Sequence, residues 1–296
     1  MKRRWQGYAV IAMVRALALL PLPVAHLLGD LIGALMLWAP NGSRRVAERN
    51  LRLCFPAMPD SARRRLLAGA LRETAKTLTE TGAMWVWPKA RLLNKLQGVS
   101  GLHHWQACLD RGAGVIALTP HQGSWEFMGA FALTRAPMTS LYRPPRIPGL
   151  EAFLRQRRAR VGQALAPATA GGVKALFKAL RRGEMVGILP DQDPGDAGVF
   201  APFFGIPANT MTLVQKLARK TEAAALIAYA RRLPWGRGYH VHFHPVDAAA
   251  LADPDPARAA AAVNAAVARC VLETPAQYQW AYKRFKRRPP GEAGLY

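Results

Sequence analysis

The sequence predicts an α/β fold, a central mixed sheet with helices on both faces, plus N-terminal membrane-associated helices. Three observations predict it. Short apolar runs alternate with helical stretches through most of the chain, which is how strand–helix units build one sheet. Hydrophobic residues make up 51% of the 296 residues and charged residues 20%, so the chain can bury a large core and is not disordered. Before the alternation begins, Tyr8 to Trp38 contain only Arg15, His26 and Asp30 as charged or titratable groups besides Tyr8.

That block divides the chain into an N-terminal apolar membrane-anchoring segment, residues 1–40, and a main domain, residues 41–296. Between Arg15 and Asp30 the uncharged run covers residues 16–29 and is broken by Pro21 and Pro23. It is shorter than the ~18–20 apolar residues of an upright span. Arg15 and the lack of a small-x-small site argue against a secretory signal. An interfacial or re-entrant helical pair fits best, with a single tilted span or a buried core helix as alternatives. Lys2, Arg3 and Arg4 before the block and Arg44 and Arg45 after it place both ends on the cytoplasmic side. Lys plus Arg number 41 against 18 Asp plus Glu, a formal charge of +23, which suits a polyanionic partner. Anionic membrane lipids and nucleic acid are the large candidates, and no nucleic-acid-binding motif is present. The three cysteines lie far apart without a CxxC, which fits a reducing compartment and excludes a zinc finger.

From Asp60 to Val86 the apolar residues recur on one helical face, with Asp60 or Ser61 as cap. Residues 114–119 read as a buried strand, followed by a helix from about Ser124 to Thr134. A second strand spans residues 138–142, and a basic helix runs to Arg160. The helix of residues 172–182 stops at Gly183, before a third strand at 185–189. A helix over 210–220 precedes the strand 224–230, and Tyr239 to Phe243 alternate like an edge strand. Asp255 as cap and Pro256 at the first position open a last helix that ends before Pro275.

The chemistry concentrates in Thr119-Pro120-His121-Gln122-Gly123-Ser124-Trp125-Glu126. His121 follows a strand at its carboxyl end, where α/β sheets bind ligands. Ser124 is the expected helix cap, and Glu126 falls in the first helical turn. Across this strand–turn–helix corner His121 and Glu126 can converge. A carboxylate on one imidazole nitrogen fixes the tautomer and frees the other nitrogen as a base. A strand-end histidine bonded only to local backbone is the plain alternative. No G-x-S-x-G is present, so direct transfer to an acceptor alcohol is the simplest use of such a pair.

The H-x4-E after an apolar strand resembles the signature of membrane glycerolipid and lipid A acyltransferases. The wider chain resembles the bacterial lipid A late (lauroyl/myristoyl) acyltransferases. The segments that carry the likeness are Arg49-Asn50-Leu51 with Cys54-Phe55-Pro56, His121 to Glu126, and Tyr142-Arg143-Pro144. They continue with Asp191-Gln192-Asp193-Pro194-Gly195, Val199-Phe200, Pro202 to Gly205, Tyr278-Gln279-Trp280, Arg284-Phe285-Lys286 and Arg288-Pro289. The resemblance implies a glycerolipid-acyltransferase-like fold at the cytoplasmic face of the inner membrane. It implies transfer of a fatty acyl chain from an acyl carrier protein thioester to a hydroxyl of a lipid A precursor.

In that reading His121 and Glu126 are catalytic: His121 deprotonates the hydroxyl, and Glu126 orients it. Amides at the start of the next helix are candidate oxyanion donors. Arg143, Arg158 and Arg160 are candidates for the phosphates of the acceptor, the last two through a family-like R-x-R-x-G ending at Gly162, while Arg155 and Arg157 read as a solvated face. Asp191 stands at a strand's carboxyl end and is expected beside the substrate. Phe200, Phe203 and Phe204 wall the acyl groove or pack in the core. His240, His242 and His244 share a strand face, but no carboxylate or cysteine stands at ligand spacing, so no metal and no cofactor are expected. The run from Lys283 to Arg288 is expected on anionic headgroups or acceptor phosphates. The alternatives are an acyl-CoA-dependent enzyme acting on another glycolipid such as phosphatidylinositol mannoside, and a non-enzymatic basic membrane- or nucleic-acid-binding protein.

Overall fold

The computed structural model describes residues 4–145, 147, 149–160 and 162–296, with Arg4 and Arg160 described by backbone alone. The N-terminal block folds as two helices, α1 (Arg4–Ala18) and α2 (Leu22–Trp38), parted at Leu19–Pro21 because Pro21 and Pro23 cannot continue α1. Helix α3 (Gly42–Cys54) is capped by the Asn41 side chain on the Arg44 amide, worth about 1 kcal/mol. Helix α4 (Asp60–Thr79) begins after Pro59, so neither Asp60 nor Ser61 is its cap; Asp60 instead pairs with Arg63. Helices α5 (Thr81–Val86) and α6 (Lys89–Leu93) complete this helical half, broken at Glu80 and Pro88.

The alternating half follows. Strand β1 (Leu96–Ser100) leads to α7 (Leu102–Asp110), β2 (Val115–Leu118) to α8 (Trp125–Ala132), and β3 (Met138–Tyr142) to α9 (Leu150–Arg160). Then come β4 (Gln163–Pro167), α10 (Ala170–Arg181), β5 (Met185–Ile188), and a hairpin of β6 (Gly198–Phe203) and β7 (Ile206–Met211). The chain closes with α11 (Leu213–Lys220), β8 (Ala224–Arg232), β9 (Tyr239–Pro245), α12 (Ala248–Leu251) and α13 (Pro256–Glu273). Asp255 caps α13 by accepting the Ala257 amide, and Pro256 stands first, as expected.

Seven strands form one sheet in the order β1-β9-β8-β2-β5-β3-β4. Every pairing is parallel except β8 with β9. Successive residues of a strand face opposite sides. Ile116 and Leu118 therefore enter one core with α10, α11 and α13, while Val115 and Ala117 enter a second with α7 and α8. Helices cover both faces, as expected. Four strands were not expected from the sequence: β1 and β4, the actual edges of this sheet, and the separate hairpin β6–β7, whose end takes Thr210 and Met211 from the helix expected to start there. Strand β9 lies inside the sheet between β1 and β8, which corrects its reading as an edge.

The N-terminal helices are packed on this body. Gly29 and Gly33 of α2 let the backbone of α4 approach; a Cβ on Gly33 would stand 2.3 Å from the Arg72 Cα. His26 of α2 bonds Glu80 at 3.1 Å, and Glu80 also accepts from Arg232 and Tyr239. The opposite side of α2 leaves Val24, Leu27, Leu31, Leu35 and Trp38 exposed along one stripe. Among the described residues no single helix is long and apolar enough to cross a membrane.

Candidate active site

Parallel strands β2, β3 and β5 bring their carboxyl ends to one edge of the sheet, and with them His121, Arg143 and Asp191. The segment after β2 is pinned on both sides. Ser124 N–H donates to the Ala230 carbonyl at 2.9 Å, Gly123 N–H to Gln277 at 3.0 Å, and Gln279 N–H to the His121 carbonyl at 3.0 Å. Gly123 has φ +56°, and a Cβ there would lie 2.0 Å from the Ala230 oxygen, so only glycine fits this turn. Gln122 is buried, and its amide donates to the Cys270 carbonyl at 2.7 Å and to Thr274 Oγ1.

His121 Nδ1 lies 2.8 Å from Asp191 Oδ1, while its own backbone N–H donates to Asp191 Oδ2 at 2.9 Å. Both carboxylate oxygens thus hold one residue, which fixes the ring as well as the chain that carries it. Asp191 is 2% exposed. Burial pushes its pKa up, but the His121 charge, the two hydrogen bonds from His121 and the charge of Arg284 outweigh burial and hold it below the ordinary value. A buried carboxylate kept ionised beside Nδ1 assigns the ring proton to that nitrogen. Nε2 is then the free lone pair, and among the described residues it has no hydrogen-bond partner. The Trp125 ring packs against the imidazole, with centroids 5.1 Å apart. His121, Trp125, Tyr278 and Gln192 line a cleft of about 320 Å³.

Glu126 does not take the place expected for it. It sits in the first turn of α8, and its Oε1 accepts from Arg158 of α9 at 2.6 Å. The helix carries its side chain toward α9, whereas Asp191 comes to His121 from the neighbouring strand β5. Asp191, expected beside the substrate, is the residue that holds the imidazole. Ser124 occupies the cap position of α8 without a capping bond; its hydroxyl points to Met84 Sδ at 3.5 Å. Arg158 and Glu126 together border an apolar recess of about 60 Å³ lined by Met128, Met138 and Gly187. Arg143 is exposed at the end of β3. Arg160 ends α9, and the role expected of its side chain lies outside the described residues.

The remaining motif segments converge beneath Asp191. Asn50 donates to the Trp280 and Tyr282 carbonyls at 2.7 and 2.8 Å, and Tyr282 OH accepts from the Asp193 amide. Arg284 is buried and donates to the Asn209 carbonyl at 2.6 Å and to Thr210 Oγ1 at 2.8 Å. Arg288 donates to Pro207, and Arg287 pairs with Asp196. Three of the five basic residues in the run expected on headgroups, Arg284, Arg287 and Arg288, are therefore held by partners within the protein. Phe203 packs in the core against Tyr278 and Phe285, which decides for core packing over an acyl wall at that position. The histidines of β9 have a carboxylate partner that local spacing could not reveal: Glu273 of α13 comes within reach of His242 and His244.

A histidine held by a buried aspartate, with its other ring nitrogen open at the carboxyl edge of a mostly parallel sheet, is an arrangement able to take a proton from a bound hydroxyl. Residues 1–287 match the family model of the bacterial lipid A biosynthesis acyltransferases, and the chain belongs to that family. It is 30% identical to the lipid A biosynthesis lauroyltransferase of Escherichia coli (strain K12), covering 99% of this chain and 95% of that protein. It is 31% identical to the palmitoleoyltransferase of the same organism with the same coverage, and 26% identical to its myristoyltransferase over 99% and 91% of the two chains. The expected family is therefore shown.

Proposed function

We propose that this protein transfers a fatty acyl chain from an acyl carrier protein thioester to a hydroxyl of a lipid A precursor, at the cytoplasmic face of the inner membrane. The observation that carries the catalytic part is the His121–Asp191 pair. With Nδ1–H donated to Asp191, Nε2 takes the proton of the acceptor hydroxyl as it attacks the thioester carbonyl. Asp191 stabilises the imidazolium that forms. The proton is later returned to the departing thiolate. Developing negative charge on the thioester oxygen needs donors. The Gly123 and Ser124 amides are engaged by carbonyls, which narrows the backbone donors to the first turn of α8.

Arg158 is the phosphate-binding candidate, with Glu126 holding its guanidinium in place. Glu126 thus acts on His121 only at a distance, through the arrangement of α8 and α9. Arg143, just past the carboxyl end of β3, and Arg160, the last residue of α9, are further basic candidates. The exposed stripe of α2 with Arg44 and Arg45 just beyond it supports docking on anionic lipid. The H-x4-E loop on a parallel sheet supports kinship with the glycerolipid-acyltransferase fold. Family membership favours lipid A over phosphatidylinositol mannoside, and it disfavours a non-enzymatic basic protein.

The test is reconstitution of purified protein in mixed micelles with a lipid A precursor and matched acyl donors. Transfer is expected from the acyl carrier protein thioester and not, at equal concentration, from the CoA thioester. Equal or preferential use of the CoA donor would reject the carrier protein as partner.

A further inference from the structure

His240, His242 and His244 occupy the face of β9 that carries α13, because the alternate residues Tyr239, Val241 and Phe243 point into the opposite core. His240 is engaged elsewhere, with Nε2 2.8 Å from Ser100 Oγ. The other two are not. His242 Nε2 and His244 Nε2 are both buried without a hydrogen bond; His244 Nε2 lies 3.1 Å from Glu273 Oε1 but lacks hydrogen-bond alignment. Two buried imidazole nitrogens left unsatisfied side by side need a partner. The ligating atoms of His242, His244 and Glu273 all lie within 4.8 Å of one another.

Three surrounding features point to a cation. Tyr229 OH donates to Glu273 Oε2 at 2.6 Å, which orients the carboxylate and leaves Oε1 toward the histidines. The Tyr229 ring also stacks on His242, with centroids 4.9 Å apart and planes 7° apart, fixing that imidazole. Glu273 is the last residue of α13, whose final turn carries no basic residue. A carboxylate there is repelled by the helix dipole, and a cation at its oxygen offsets that repulsion.

We propose that His242, His244 and Glu273 bind one divalent transition-metal ion of the zinc class. Two imidazoles and one carboxylate suit zinc better than magnesium or calcium, which prefer all-oxygen sets. The ion would sit at the junction of β8, β9 and the end of α13. Next to it, the Cys270 carbonyl and Thr274 hydroxyl receive the side chain of Gln122, the residue after His121. The role is bracing: the ion holds the helix end against which the His121 loop is anchored.

The site is tested on the untagged full chain in detergent, stripped with a chelator and titrated with Zn²⁺ against a chromophoric competitor. Co²⁺ loading adds a visible spectrum. One saturable equivalent is expected, with d–d bands of a four-coordinate nitrogen–oxygen set. His242→Ala, His244→Ala and Glu273→Gln should each weaken it by more than roughly tenfold, and Tyr229→Phe by about tenfold through the lost carboxylate bond. His103→Ala, an exposed histidine of α7, should leave it unchanged. No saturable equivalent in the wild type overturns the proposal whatever the variants do. So does a site that survives all three ligand substitutions. Because the readout is metal bound per chain, the result is independent of acyl transfer.

Discussion

Asp191→Asn separates the arrangement in the structure from the one that local spacing suggests. Asparagine keeps the size and one acceptor of a side chain that is 2% exposed. Its Oδ1 can still accept the His121 amide, now at 2.9 Å from Asp191 Oδ2, but its NH₂ then faces Nδ1, now 2.8 Å from the other oxygen. The imidazole must move its proton to Nε2, which removes the lone pair aimed at the substrate. Losing a charge-assisted hydrogen bond costs about 1.5–3 kcal/mol, and the wrong tautomer adds to it. Turnover should fall by ~10²–10⁴. The assay is acyl transfer by the purified variant, with a thermal melt to show that it is folded. The fall should appear in kcat, with KM for the acceptor little changed. Glu126→Gln should keep more activity than Asp191→Asn, since it disturbs Arg158 and not the base. Near-normal turnover in Asp191→Asn, with Glu126→Gln reduced to the level of His121→Ala, would refute the assignment and restore Glu126 as the orienting group.

Arg158→Ala should weaken acceptor use roughly ten- to a hundredfold while sparing hydrolysis of the donor thioester, with partial rescue by lysine; parallel loss of both reactions would place Arg158 on the donor side. Glu80 predicts acid sensitivity: burial raises its pKa, but the Arg232 charge and the bonds from His26 and Arg232 outweigh it and bring it down to about 2. A depressed carboxylate pKa stabilises the fold above the unfolded value and loses that contribution as pH falls toward the folded one, here on the order of 3 kcal/mol between about pH 5 and pH 2. Denaturant melts of Glu80→Gln should lack that acid-dependent loss, and identical acid slopes in both proteins would contradict it. Replacing the exposed Leu27, Leu31 and Leu35 of α2 together by Asp should abolish binding to anionic vesicles without unfolding the body; undiminished binding would move the membrane surface elsewhere.

The strand–helix alternation was legible wherever runs were long and uninterrupted, as at β2, β3 and β5, and where capping chemistry was local, as at Asp255 and Pro256. Strands β1 and β4 escaped because Gly98 and Pro167 break their patterns, and edge strands need little apolar sequence. Strand β9 looked like an edge because its histidine face is only half covered, although hydrogen-bonded neighbours flank it on both sides. His121 was legible because its position after a buried strand is a local fact. Its partner was not: the choice between Glu126 and Asp191 depends on β5 lying beside β2 and on α8 turning Glu126 toward Arg158. The same limit hid Glu273 from His242 and His244. Spacing along the chain identifies a group that has chemistry to offer; only the fold decides which side chain answers it.

The most direct measurement is mass spectrometry of lipid A from a host strain lacking this gene, and from the same strain carrying the wild-type chain or His121→Ala. Lipid A from the deleted strain should lack one acyl chain's mass, the wild-type chain should restore it, and His121→Ala should not. Unchanged lipid A on deletion, or full restoration by His121→Ala, would contradict the account.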